Sequence, residues 1–433
     1  MRNFTPTMAI LALIVVSGTG QSAKAQTFTT LHTFTGDRDG GNPVGLTLAG
    51  SGALYGATSY GGAGSNCSEG CGVVFKMTEK DSGWTLSPLY EFTGSPNGAN
   101  PSAGVSIGPT GALYGTTIAG GSANYGTVFQ LTPPATVCKT AICYWNEDLL
   151  YSFQGPPNDG ASPSQGLLIF DTAGNIYGMT ENGGTANVGT VFELSQSSNG
   201  WNENVYYSFG QSPTDGAAPS GGLVFDCAPG CGGLFGTTSS GGAGEYGGTI
   251  FQLPYSGYEN ILYNFIPGSG NPYEPTGTLL VDQYGNLYGT TDLGGGYGSG
   301  IVFELASQNG VWNFEVLASL ECGLGPPPSA LVMDSAGNLY GTCMQGTLGE
   351  QNNGMVFQLS YSHGGWHVND LHDFNYSDSG CFPGNLVLDG NGNLYGTTWS
   401  GGSSDDNCWS SNFGFGTVWQ ITNLPAMRAP RLQ

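Results

Sequence analysis

Two sets of side-chain oxygens repeat along this chain and are its first candidates for chemistry. Asp39, Asn97, Asp159, Asp215 and Asn271 each stand four residues before a proline that opens a strand-like run. Such residues either supply ligands for a cation or a polyol, or form Asx turns leading into their prolines. The second set is Asp-x-x-Gly-Asn, at Asp171 to Asn175, Asp282 to Asn286 and Asp334 to Asn338, with a variant from Asp389 to Asn393. Calcium takes about six to eight oxygens and a tight hairpin offers about three, so turn chemistry is expected in this second set. No cofactor is expected; calcium is the ion these oxygens could take.

A catalytic nucleophile is not evident. His32 and His372 occupy the same slot in two repeats, and His363 and His367 flank Trp366. No Ser or Cys joins a His and an Asp in a triad signature, so structural roles are expected for all four histidines. Trp84, Trp145, Trp201, Trp312 and Trp366 fall once per repeat, a spacing that suits packing better than sugar stacking.

The elements that must position these residues come from a tandem repeat. The tripeptide Leu/Ile-aromatic-Gly returns at Tyr55, Tyr114, Tyr177, Phe235, Tyr288, Tyr340 and Tyr395, at intervals of 52 to 63 residues. Each of the seven units holds four short runs rich in β-branched and aromatic residues and bounded by turn formers. In the third unit these are 150–153, 166–170, 175–180 and 189–194. Four strands per unit, seven times over, predict an all-β fold: a seven-bladed β-propeller with four-stranded blades. In 286–291 the side-chain-free Gly289 is expected to let a neighbouring sheet approach closely.

Composition bounds the compartment and the partners. Arg2, the apolar run 8–16 and Ala23-Lys24-Ala25 read as a secretory signal over residues 1–25. The apolar run falls short of the ~20 residues that span a bilayer, so no membrane insertion is expected. This leaves a propeller over 26–422 and a tail over 423–433 that carries Arg428 and Arg431 but no sorting helix. A secreted location, extracellular or periplasmic, follows. Without the signal, six basic residues stand against 31 acidic ones, a formal charge of −25. Nucleic acid is excluded as a partner, because affinity for polyanions comes from Lys and Arg. Aromatics make up 12% of the chain and sit at regular positions, which argues for a packed core despite 76 glycines. The ten cysteines read as disulfides, with Cys67 and Cys71, Cys138 and Cys143, and Cys227 and Cys231 as local pairs.

Gly-Asn-Leu-Tyr-Gly-Thr-Thr, then Gly-Gly, then Gly-Thr-Val-Phe, resembles the GloVer tandem repeat of exported bacterial choice-of-anchor proteins, over residues 31–421. The sixth unit departs from it, with Thr342-Cys343 and Gly346-Thr347 in place of Thr-Thr and Gly-Gly. The resemblance implies an exported repeat protein, often with a sorting tail; the missing sorting helix favours release or non-covalent attachment. More distantly the units are similar to NHL and gluconolactonase-like propellers, whose blades carry Asp-x-x-Gly-Asn-Leu-Tyr between their first and second strands. That phase implies that 166–170 is innermost and 150–153 outermost. The N-terminal strand 31–34 then completes the last blade as its outer strand. The same phase implies disulfides Cys322 to Cys343 and Cys381 to Cys408. It also sets Asp39, Asn97, Asp159, Asp215 and Asn271 as a partial ring round the channel.

Loop length then points to a site. From the second Thr position to the Gly that opens the third strand, the seven units count 14, 9, 9, 10, 9, 11 and 18 residues. The two longest loops belong to the first and last units, which are neighbours in a closed ring, and loops on a rigid scaffold are where function concentrates. Trp399, Asp405, Asp406, Asn407 and Trp409 of the last unit, with Tyr60 and Asn66 of the first, offer an apolar platform and polar partners for a glycan. The plain alternative is that these loops cover the seam. The expected function is a non-catalytic binding or scaffold propeller, with a glycan, a cell-surface polymer or an extracellular protein as partner. The distant resemblance implies the alternative, a metal-assisted lyase or lactone hydrolase, which needs convergent ligands and a base that no repeated inner-loop Glu supplies.

Overall fold

A glycine lying beneath an aromatic ring organises every blade. In register across the second and third strands, Gly56 faces Phe75, Gly115 Phe129, Gly178 Phe192, Gly236 Phe251, Gly289 Phe303, Gly341 Phe357 and Gly396 Trp419. A Cβ on any of these glycines would fall closer than 3.0 Å to that ring. All seven rings are buried in the core. The mid-strand glycine therefore admits an aromatic ring of its own sheet, not the neighbouring sheet that the sequence leads one to expect. Close sheet-to-sheet approach is found instead on the innermost strands, where Gly45 meets Gly104 and Gly221 meets Gly277.

The computed structural model describes residues 26–64, 66–135, 143–198, 200–226, 233–244, 246–254, 257, 259–322, 330–344, 353–375, 379–402, 408 and 414–424. They form seven antiparallel sheets, six of them running outward in chain order from an innermost first strand. The first blade comprises Gly41–Leu48, Leu54–Tyr60, Val73–Lys80 and Gly83–Glu91. In the second and third blades the innermost strand is broken in two. The last blade takes Cys381–Leu388, Leu394–Ser400 and Thr417–Thr422 from the C-terminal end and Thr27–Thr33 from the N-terminal end. The protein is thus an all-β, seven-bladed β-propeller closed by its N-terminal outer strand.

One contact joins blade to blade. The glycine opening each third strand has positive φ, and in every blade but the fifth a Cβ on it would strike the proline of the next blade, as at Gly72 with Pro101 and Gly189 with Pro219. Gly416 meets Pro43 in the same way, which closes the ring. The residue before that proline is left-handed without being glycine: Asn42, Asn100, Ser162, Ala218, Glu274 and Phe382 have φ of 51 to 58°. Each position costs about 1–2 kcal/mol. The conformation aims its N–H at a carbonyl of the preceding blade, at 2.8 to 2.9 Å. The tryptophans add a further key between blades: Trp84 packs on Tyr395, Trp145 on Tyr55 and Trp312 on Phe235.

Disulfides join Cys67 to Cys71, Cys322 to Cys343 and Cys381 to Cys408, with Cα separations of 5.3, 5.6 and 6.0 Å. Cys143 is also disulfide-bonded. Cys138, Cys227 and Cys231 lie outside the described residues. His372 stacks on Phe28 at 3.6 Å, and burial lowers its pKa to about 4, which fits a packing role.

Two measurements test this architecture. Gly178→Ala should destabilise the protein by about 1–3 kcal/mol through overpacking against Phe192. Phe192→Leu in that background should cost less than in the wild type, since the leucine gives the new methyl room; additive losses would argue against the contact. Deleting residues 26–36 removes Phe28 from Trp419 and His372 and bares the Thr417–Thr422 edge. The truncated chain should melt lower and aggregate, and an unchanged melt and solubility would contradict closure.

Candidate functional site

In a four-stranded meander, the loop from the fourth strand to the next blade crosses the same face of the ring as the loop between second and third strands. Asp39, Asn97, Asp159 and Asp215 sit in the crossing loops, and their side chains turn back to the outer strand just left. Asp159 accepts from the N–H groups of Gln154 and Gly160, both at 2.6 Å, and from the Tyr151 hydroxyl at 2.8 Å. Asp215 accepts from the Gln211 N–H at 2.7 Å and the Tyr207 hydroxyl at 3.1 Å. Asp39 accepts from the N–H and hydroxyl of Thr35 and contacts His32 Nε2 at 3.0 Å. Burial works against the Asp39 carboxylate, but its bonds to His32 and Thr35 outweigh that and hold its pKa below the usual range. Asn97 bonds Tyr90, and the exposed Asn271 donates to the Ile266 carbonyl at 3.2 Å. These residues do not make the expected ring of oxygens; each closes its own loop. Round the axis, inner strands are tied by hydroxyls: Thr47 donates to the Val105 carbonyl, Ser106 to Leu168, Ser164 to Gly221 and Ser220 to Pro275.

The hairpin aspartates are equally engaged. Asp282 Oδ1 accepts from the N–H groups of Tyr284 and Asn286, and Oδ2 from the Asn286 amide and the Tyr288 hydroxyl. Asp171, Asp334 and Asp389 repeat the pattern. A carboxylate with four local donors is turn chemistry.

The second-to-third-strand loops carry the exposed aromatic surface. Tyr60 and Asn66 line a concavity of about 540 Å³ between the first and second blades, with Ser68, Glu69, Asn100 and Asn124. Trp399, partly buried, lies one blade back: its carbonyl accepts the Asn42 amide at 2.8 Å, and Ser59 donates to the Asn42 carbonyl at 3.1 Å. Trp399 thus touches the first blade through Asn42, while Tyr60 lines a concavity on the other side of that blade. Asp405, Asp406, Asn407 and Trp409 lie outside the described residues. Further aromatics share this face, Tyr125, Tyr246 and Tyr297 on loops not marked out by length and Phe415 at the end of the longest: Tyr125 is 40% exposed, Tyr246 71%, Tyr297 56% and Phe415 40%. Their signal is nonetheless in the sequence, since each stands one to three residues before the glycine that opens a third strand.

A different set of groups lines the rim. Glu147, Glu203 and Glu259 stand four residues before outer-strand positions Tyr151, Tyr207 and Tyr263, and each faces the tyrosine of the preceding blade: Tyr90, Tyr151 and Tyr207. Burial, with the charge of Asp159 next, pushes Glu203 from 4.5 up to about 7. A carboxyl whose folded pKa is raised supports the fold fully below about pH 4.5 and loses that support as the pH rises through about 7. Glu203→Gln stays neutral, so its melting midpoint should gain on the wild type between those pH values. A difference independent of pH would rule this out.

The fold defines a seven-bladed β-propeller whose inner strands are tied to one another by hydroxyl bonds. The chain belongs to the Gloeobacter/Verrucomicrobia repeat family, which it matches over residues 19–149, 69–280, 146–322 and 231–425. No curated protein matches it. Among solved structures it is similar to polysaccharide lyase Uly1, at 12% identity over 89% of this chain and 90% of that one, with a TM-score of 0.48. It is also similar to a gluconolactonase of Xanthomonas campestris, at 12% identity over 92% and 90% with a TM-score of 0.41. A third is the β-propeller domain of the Trilobed protease from Pyrococcus furiosus, at 7% identity over 87% and 91% with a TM-score of 0.47. These are likenesses of fold at low identity. Among the described residues no helix is long and apolar enough to cross a membrane.

Proposed function

We propose that this protein is a secreted, non-catalytic binding propeller whose second-to-third-strand loop face takes a neutral or basic glycan. The observation that carries the reading is the set of exposed aromatics, Tyr125, Tyr246, Tyr297 and Phe415, on loops of four blades and one face. Aromatic faces stack on the apolar faces of sugars, and Asn66, Asn100, Asn124 and Glu69 beside Tyr60 supply hydrogen-bond partners. Platforms repeated round a ring suit a polymer, because simultaneous weak contacts add avidity. The formal charge of −25 left after the signal disfavours anionic polysaccharides. Secretion is supported by the disulfides, which persist in oxidising compartments, and by the signal-like residues 1–25. Binding is preferred over the lyase or lactone hydrolase because the inner-strand hydroxyls are spent on carbonyls of neighbouring blades.

The test is a polysaccharide array probed with the full chain. Tyr125→Ala, Tyr246→Ala and Tyr297→Ala combined should weaken binding about tenfold or more while leaving the thermal melt in place. Tyr284, 67% exposed in a hairpin on the opposite face, provides the control: Tyr284→Ala should bind normally. Binding kept by the triple variant, or lost equally with Tyr284→Ala, would remove the site from this face.

A further inference from the structure

The rim between the third and fourth blades holds a pair of carboxyl groups that glycan binding does not use. The Tyr207 hydroxyl bonds Asp215 Oδ2 at 3.1 Å and Glu259 Oε2 at 3.4 Å, so one phenol grips one oxygen of each carboxyl group. The other two oxygens, Asp215 Oδ1 and Glu259 Oε1, are buried and have no hydrogen-bond partner. Asp215 is only 5% exposed. The two carboxyl groups lie within hydrogen-bonding reach of each other, and burial followed by Asp215 raises the Glu259 pKa. Two acceptors that face each other without a donor need either a shared proton or a bound cation between them.

The equivalent rim positions one and two blades back show that this is not a property of the scaffold. Behind Tyr151, both oxygens of Asp159 are taken by N–H groups and the phenol, leaving a single orphan on Glu203. Behind Tyr90 the loop residue is Asn97, whose amide can donate. Only the third junction in this series presents two free carboxylate oxygens. It opens into a concavity of about 480 Å³ lined also by Gln211, Ser212, Thr214, Gly257 and Ile261, whose polar side chains offer oxygens and an amide.

We propose that Asp215 and Glu259 bind a divalent cation, with calcium as the ion that fits, clamping the outer strand of the fourth blade to the loop that leaves the third. Hard oxygen donors without nitrogen or sulfur select calcium over zinc, and the room in the concavity lets water complete about six to eight ligands. The ion bridges the two orphaned oxygens while Tyr207 holds the carboxyl groups in place.

The test is calorimetric titration of the chelator-treated full chain with calcium, paired with thermal melts. One saturable site is expected, with a melting midpoint raised by about 2 °C or more at saturation. Glu259→Gln and Asp215→Asn should each weaken that site at least tenfold, whereas Glu203→Gln should leave it unchanged. If either variant fails to fold, terbium luminescence of the wild-type chain stands in. Emission sensitised by Tyr207, displaced by calcium and much reduced in Tyr207→Phe, supports the site. No calcium heat and no terbium emission in the wild type would overturn it and leave a shared proton as the bridge. Equal calcium binding by Glu259→Gln would also overturn it.

Discussion

An aromatic ring needs a flat floor, and in this protein the floor is a glycine on the adjacent strand. With Phe192 over Gly178 and Phe303 over Gly289, the third strand settles close on the second and each blade gains a fully buried ring near its middle. Everything outside the pair is arranged to keep that ring dry. Aliphatic side chains beside it, such as Ile176 and Leu194, are fully buried, and Phe209 of the outer strand meets Phe251 of the next blade edge to face. The last blade tests how far the rule stretches: Trp419 replaces phenylalanine there, and Gly396 still provides the floor.

The ring of blades follows from a second, weaker constraint. A proline cannot donate to the ladder, and near the start of the first strand of every blade but the sixth its ring packs against the opening glycine of the preceding blade. The residue before it is then forced into a left-handed conformation, and its N–H finds the neighbouring carbonyl. Asn42 and Asn100 suit that position twice over, because their amides also reach backward, to the carbonyls of Trp399 and Ser59. The loops between second and third strands lie just above this seam and take no part in it beyond their last residues. They are therefore free to vary in length and to show tyrosines to solvent.

The repeat made the blades legible, since a Leu-Tyr-Gly every 50-odd residues and a Gly-Thr-Val-Phe after it are sufficient to phase four strands. What the repeat could not convey is which partner a residue meets. Gly289 was expected to serve the neighbouring sheet and serves Phe303, because strand alternation says which face a residue takes but not what stands over it. The same gap explains Asp159 and Asp215. Their spacing before proline suggested an axial ring, yet Tyr151 and Tyr207, eight residues earlier on the outer strand, claim them. Loop length directed attention to Trp399 and Tyr60, and passed over Tyr125, Tyr246 and Tyr297 because exposure in a short loop leaves no mark on its length.

Charge ties these observations together. Eight basic residues cannot pair with 31 acidic ones, so the chain satisfies its buried carboxylates with backbone N–H groups and tyrosine hydroxyls. The hairpin aspartates each take two amides from their own turn, and Glu193 and Glu304 accept from Tyr177 and Tyr288 of the adjacent strand. That solution works only while donors outnumber acceptors, and a phenol has one proton. Where two carboxyl groups meet a single tyrosine, at Asp215, Glu259 and Tyr207, the donors run out. A protein built on this chemistry has either to protonate such a pair or to import a cation, and hard carboxylate oxygens are the donors that calcium takes.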